Sequence, residues 1–169
     1  MIVRKSFIIA TAVCWAAPAL AQDPAGCDKF KWPVDRERAA LNTPGLGKLA
    51  SGSELTALPT TARLGLRPTA EAALPLTPER KPKDGTFAGF VALKSPVEAG
   101  VYTVSLSDYA WLDVVQNGRM LKPVAFSGVT GCESIRKVVK FELSNVPVLV
   151  QVSGVAADSI LIALMPARD

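Results

Sequence analysis

"DVVQNGRMLK", residues 113–122, is the stretch that decides the fold. Asn117-Gly118 sits between two apolar runs, and Asn-Gly is a favoured pair for the two central positions of a type I′ hairpin, where both residues need positive φ. A turn there sets the register: Gln116 faces Arg119, Val115 faces Met120 and Val114 faces Leu121. It also places Asp113 opposite Lys122, an opposite-charge cross-strand pair.

Working outward, the same two-residue period recurs. Phe87, Gly89, Val91 and Leu93 fall on one face of a strand, and Tyr102, Val104 and Leu106 on one face of another. Val139, Phe141 and Leu143 alternate with Val138, Lys140 and Glu142, and Val148, Val150 and Val152 with Leu149, Gln151 and Ser153. Ile160, Ile162 and Leu164 complete the series. Short strands separated by turn residues, with no long helical pattern, predict a mainly β chain: an antiparallel β-sandwich of jelly-roll type. A small closed β-barrel is the alternative.

Residues 22–84 read differently, rich in Pro, Ala and Leu with little strand patterning. Pro33 suits the first position of a short helix over Val34–Leu41, with Asp35 and Glu37 at its positive end. Ser53–Leu58 reads as a helical turn, Leu64 and Leu66 as a brief strand, and residues 75–85 as an exposed, Pro-rich connection. The expected organisation is one structural domain over 22–169. In it, a helical and irregular segment (22–84) packs on a sandwich core (85–169).

The first residues have the form of an export signal: Arg4 and Lys5, an apolar run from Phe7 to Ala17, Pro18, then Ala19-Leu20-Ala21. Residues 1–21 are thus expected to be cleaved, placing the protein in the periplasm or outside the cell. The apolar run is too short to span a bilayer, and no second run of spanning length follows. Loss of Arg4 and Lys5 halves the formal charge of +4, and no basic stripe marks a nucleic-acid partner. Cys14 leaves with the signal, so Cys27 and Cys132 remain, and two cysteines in an oxidising compartment are expected to pair. Two separate buried thiols are the alternative.

The chain has no histidine. A Ser-His-Asp triad, a Cys-His pair, histidine-ligated zinc or haem and the 2-His-1-carboxylate iron site are therefore excluded. Ser134 and Lys137 match S-x-x-K, but Lys-Thr-Gly is absent. Asp108, Asp113 and Asp158 could supply carboxylate chemistry, yet their spacing fits no calcium loop; they read better as turn residues and, for Asp113, as the Lys122 partner. No cofactor is expected.

Candidate ligand or partner contacts are Phe30, Trp32, Trp111, Asp113 and Lys122. Trp111 shares a face with Val115, which favours a core position over ligand stacking. "GCDKFKWPVDRERA", residues 26–39, could be a site built on Cys27 or a clasp holding the N-terminal segment to the domain; without histidine to activate Cys27, the clasp is favoured.

The blocks "GCDKFKWPVDRE", "GTFAGFV", "YTVSLS", "WLDVVQNGRMLKPV" and "VQVSGV…DSILIA" resemble those of a group of small exported proteins of Gram-negative bacteria. Some members of that group carry a homogentisate 1,2-dioxygenase label. That enzyme family is much longer and holds iron through histidines, so no ligand transfers to any position here. The expected function is binding of an envelope protein, a glycan or a small ligand. A histidine-free hydrolase or lyase using carboxylates with Tyr102 or Tyr109 is the alternative, and the labelled dioxygenase is disfavoured.

Overall fold

The computed structural model describes residues 23–95 and 97–168, so the expected signal, residues 1–21, lies outside the described residues. Among the described residues a single short α-helix, α1 (Asp35–Leu41), precedes four short strands: β1 (Lys48–Leu49), β2 (Ser53–Leu55), β3 (Thr60–Gly65) and β4 (Arg67–Pro68). The longer strands follow: β5 (Phe87–Leu93), β6 (Gly100–Leu106) and β7 (Trp111–Gln116). Then come β8 (Arg119–Met120), β9 (Ala125–Gly128), β10 (Lys137–Leu143), β11 (Val148–Val155) and β12 (Ser159–Pro166).

The strands form two sheets. The first runs β1-β3-β12-β6-β10-β9, and the second runs β2-β5-β11-β7-β8 with β4 also beside β5. All pairings are antiparallel except β1 with β3 and β2 with β5, so both sheets are mixed rather than purely antiparallel. The sandwich expected from the strand pattern is present. Neither sheet closes on itself, since each has free edge strands, so the barrel alternative is not adopted.

The inner faces carry the alternating residues. Val104, Leu106, Val139, Phe141, Ile160 and Ile162 from the first sheet meet Val91, Leu112, Val114, Val150 and Val152 from the second in one buried cluster. On one side the sandwich is shut by the chain itself. Strand β3 lies in the first sheet, and only Leu66 separates it from β4 in the second, with the Leu66 amide donating to the Asp158 carbonyl. A strand that switches sheets makes a closed corner.

The described part of the N-terminal segment, residues 23–84, supplies the helix and irregular chain expected of it, but it also threads strands into both sheets. Ser53–Leu55, read as a helical turn, is β2, because pairing alongside β5 overrides a weak local preference. Pro33 lies before the helix rather than at its first position, since Val34 is the N-cap.

The outer face of the first sheet is also apolar. Val138, Ala163 and Met165 pack there against Phe30, Val34 and Leu41 of the N-terminal segment, with Ile135 and Val129. A disulfide joins Cys27 to Cys132, with Cα atoms 4.8 Å apart, so the two-thiol alternative is not realised. The Gly26 amide donates to Thr130 O, and Thr130 N to Pro24 O, which seats the segment beside the disulfide. Not all of α1's charged residues are solvated. Glu37 is buried against the sheet, accepting from Arg36 at 2.8 Å and Thr103 Oγ1 at 3.2 Å.

Reducing the disulfide should destabilise the fold measurably. The bond closes a loop with a sequence separation of 105. The chain-entropy model gives up to about 4.7 kcal/mol for a loop of that order. Urea unfolding with and without reductant is expected to show a clear drop in midpoint, with the α1 amides losing hydrogen-exchange protection first. An unchanged midpoint would mean that Phe30, Val34 and Leu41 hold the segment without the bond.

Candidate functional site

The hairpin at Asn117-Gly118 forms as its sequence requires, with φ of 51° and 70° at the two turn residues. Its register is Gln116 opposite Arg119 and Val115 opposite Met120, and the Leu121 amide donates to Val114 O at 2.8 Å. There the ladder stops. Continuing the register places Pro123 opposite Leu112, and proline has no N–H to donate.

The early half of β7 therefore has no neighbour on that side. Backbone groups of alternate residues point the same way along a strand, and Val114 O faces the hairpin partner, so those of Leu112 and Ala110 face the open edge. Lys137 occupies part of it, its Nζ donating to Ala110 O at 3.0 Å. Across the gap stand β9 and the start of β10, at the edge of the other sheet.

Between these edges lies a cavity of about 290 Å³. Its floor is apolar, made by Leu112, Leu121, Val139 and Phe141, and Phe126 and Pro123 stand at its mouth. Polar groups rim it: Trp111, Tyr109, Asp113, Lys137, Arg136, Asp23 and Glu79. It is the side of the sandwich that no crossing strand shuts.

The charges on this rim differ in what they already bind. Asp113 is buried, accepting from Trp111 Nε1 at 2.8 Å and from Gln151 Nε2 at 3.0 Å. Gln151 also donates to Leu76 O at 3.1 Å, so the loop around Leu76 covers this carboxylate. Arg136 pairs with Asp23 at 2.7 Å and donates to Val129 O at 2.5 Å. Lys137 forms no ion pair among the described residues. Burial lowers its pKa below the ordinary lysine value, with Arg136 and Arg80 acting the same way and Asp23 and Asp113 against it.

The structure redistributes the candidate contacts. Asp113 does not pair with Lys122: the ladder ends before them, Asp113 turns to Trp111 and Gln151, and Lys122 is exposed. Trp111 is not in the inter-sheet core, since Leu112 and Val114 take those positions. It is half-buried on the cavity rim, with Lys137 Nζ 5.5 Å and Arg80 5.8 Å from its ring centroid. Phe30 is largely buried, packed with Val34 and Leu41, and shows only an edge to the cleft beside Trp32. Trp32 is half-buried beside it with Lys140 over its ring at 4.8 Å, and lines a shallow cleft with the exposed Lys31, Pro33 and Asp35.

No acid–base pair assembles from the residues raised for catalysis. Ser134 is hydrogen-bonded to Asn42, while Lys137 reaches Ala110 O, so the S-x-x-K pair is not a unit. Tyr102 donates to Glu98 O at 3.0 Å from within the core; burial, then the Glu98 charge, raises its pKa, the opposite of what a phenolate base needs. Tyr109 accepts from exposed Arg80 at 3.2 Å. Asp108 accepts from the following amide, and Asp158 lies in the turn before β12.

Reading the sequence by motif raises Lys137 only as the lysine of S-x-x-K and misses its place on the cavity rim. Its signal was parity: it shares the strand face of Val139, Phe141 and Leu143, so a lysine heads an inward-pointing apolar row. Pro123 was the second signal, since it ends the hairpin ladder. Comparison with protein families, with curated proteins and with solved structures finds no match.

Removing the Asp113 carboxylate should be costly, because it takes the acceptor from the buried Gln151 amide and the half-buried Trp111 indole. Asp113→Ala is expected to lose about 1–3 kcal/mol for each donor left unpaired. Asp113→Asn should rescue only part, since its amide nitrogen turns a donor toward a donor. Chemical denaturation followed by Trp emission reads both. A neutral Asp113→Ala would show that the carboxylate does not hold the Trp111 indole.

Proposed function

We propose that the protein is an exported β-sandwich that works by binding a small, largely apolar molecule in the seam between its sheets. One observation carries the reading: an apolar-floored cavity at an edge left open by Pro123, with no acid–base pair assembled on its walls. At about 290 Å³ the cavity sits at the small end of ligand pockets, which commonly begin near roughly 300 Å³. That size favours a small ligand over a glycan chain or an envelope protein. Stacking of a sugar on Trp111 is disfavoured because Lys137 and Arg80 already lie over its ring.

Several features support export to the periplasm or beyond. The chain carries a disulfide, and among the described residues no helix is long and apolar enough to cross a membrane. The signal-like first residues and the resemblance to small exported Gram-negative proteins point the same way.

The test uses a neutral polarity-sensitive dye, 1-aminoanthracene, titrated into the oxidised protein. Saturable one-to-one binding is expected, with amide shifts at Leu112, Leu121, Val139 and Phe141 on ligand addition. Leu121→Trp, which fills part of the cavity, should weaken it at least about tenfold. Absence of saturable binding, or shifts confined to the cleft beside α1, would overturn the reading.

A further inference from the structure

We infer that the seam ligand is a monocarboxylic acid, its carboxylate seated on the Lys137 ammonium and its apolar body lying along Leu112, Leu121, Val139 and Phe141. This rests on the seam being a ligand site.

The argument is one of unspent charge. Asp113 has both oxygens engaged by Trp111 and Gln151, and Arg136 is committed to Asp23 and Val129 O. Lys137 has three N–H groups, and one goes to Ala110 O. It forms no ion pair among the described residues, although it is half-buried. A partly desolvated ammonium without a counter-ion costs free energy that an incoming anion recovers, and a charge-assisted hydrogen bond is among the stronger polar contacts. The lowered Lys137 pKa is the signature of that unmet demand.

Position fixes the rest of the ligand. Lys137 begins the strand face on which Val139 and Phe141 lie deeper, so a head group at Lys137 sends its tail inward over apolar walls. The open edge of Leu112 lies beside it, where its N–H can serve the second carboxylate oxygen. A cationic ligand fits worse, since Lys137 and Arg80 already hold the Trp111 ring. A doubly charged phosphate would set its second charge against Asp113 and Glu79 on the same walls. A single negative charge matches the single unpaired ammonium.

Decanoate, decanol and decylamine are each titrated against bound 1-aminoanthracene. Decanoate should displace the dye at least about tenfold more tightly than decanol, and decylamine should be weakest. Lys137→Met should erase the preference of acid over alcohol, and Lys137→Arg should keep most of it. The ratio is read within each variant, so a general loss of affinity cannot imitate the effect. The wild-type comparison stands even where Lys137→Met fails to fold. Equal binding of decanoate and decanol, a preference for decylamine, or an intact acid preference in Lys137→Met overturns the carboxylate assignment and leaves the seam as a neutral site. If the dye itself does not bind, the seam reading and this assignment fall together.

Discussion

The first sheet is apolar on both faces, and both must be covered. Phe141, Val139 and Val104 point to the second sheet, while Val138, Ala163 and Met165 point the other way. An antiparallel sheet with one wet face would have needed only the sandwich partner. Here a third layer is obligatory, and the chain supplies it from residues 26–41. Phe30, Val34 and Leu41 cover the outer face, and Cys27–Cys132 ties their start to the loop before β10. A seven-residue helix is too short to persist alone, so α1 exists because the sheet needs a lid and the disulfide delivers one.

How much of this was legible follows from whether a residue's role is set by its neighbours in sequence. Asn117-Gly118 fixes a local geometry, and the register it implies is the register observed as far as Leu121. Cys27 and Cys132 were legible from count and compartment. Asp113 was misassigned because two true statements compete. A cross-strand lysine lay in register, but two better donors, Trp111 Nε1 two residues back and Gln151 on β11, lay within the same sheet. Ser53–Leu55 was misread because three residues carry little propensity, and a parallel partner far along the chain decides them. Glu37, buried under α1, has no signal in a helix whose other charges are ordinary.

The seam has a different origin from the core. Closure on one side comes from Thr60–Pro68, which carries the chain out of one sheet and into the other. On the opposite side the chain also passes between sheets, from β8 to β9, but through Pro123. That residue withholds an amide at the moment the ladder would need it, so β8 stays two residues long and β9 four. Both sheets end in short edges there. Short edge strands are a usual protection against aggregation, and the same shortening opens a path to the core.

Two charges on that path, one buried and one half-buried, show opposite strategies. Asp113 sits among donors brought by its own strand, by β11 and by the loop at Leu76, and its burial completes a network that positions Trp111. Lys137 is placed by parity on an apolar face and finds one carbonyl. Folding alone would favour an aliphatic residue at that position, since Val139 and Phe141 continue the row. Half-buried, Lys137 has the Ala110 carbonyl and the Trp111 ring as partners and no carboxylate in ion-pair reach among the described residues. The proposed carboxylate would complete that set, since it brings negative charge to the ammonium and an apolar body to the walls beside it.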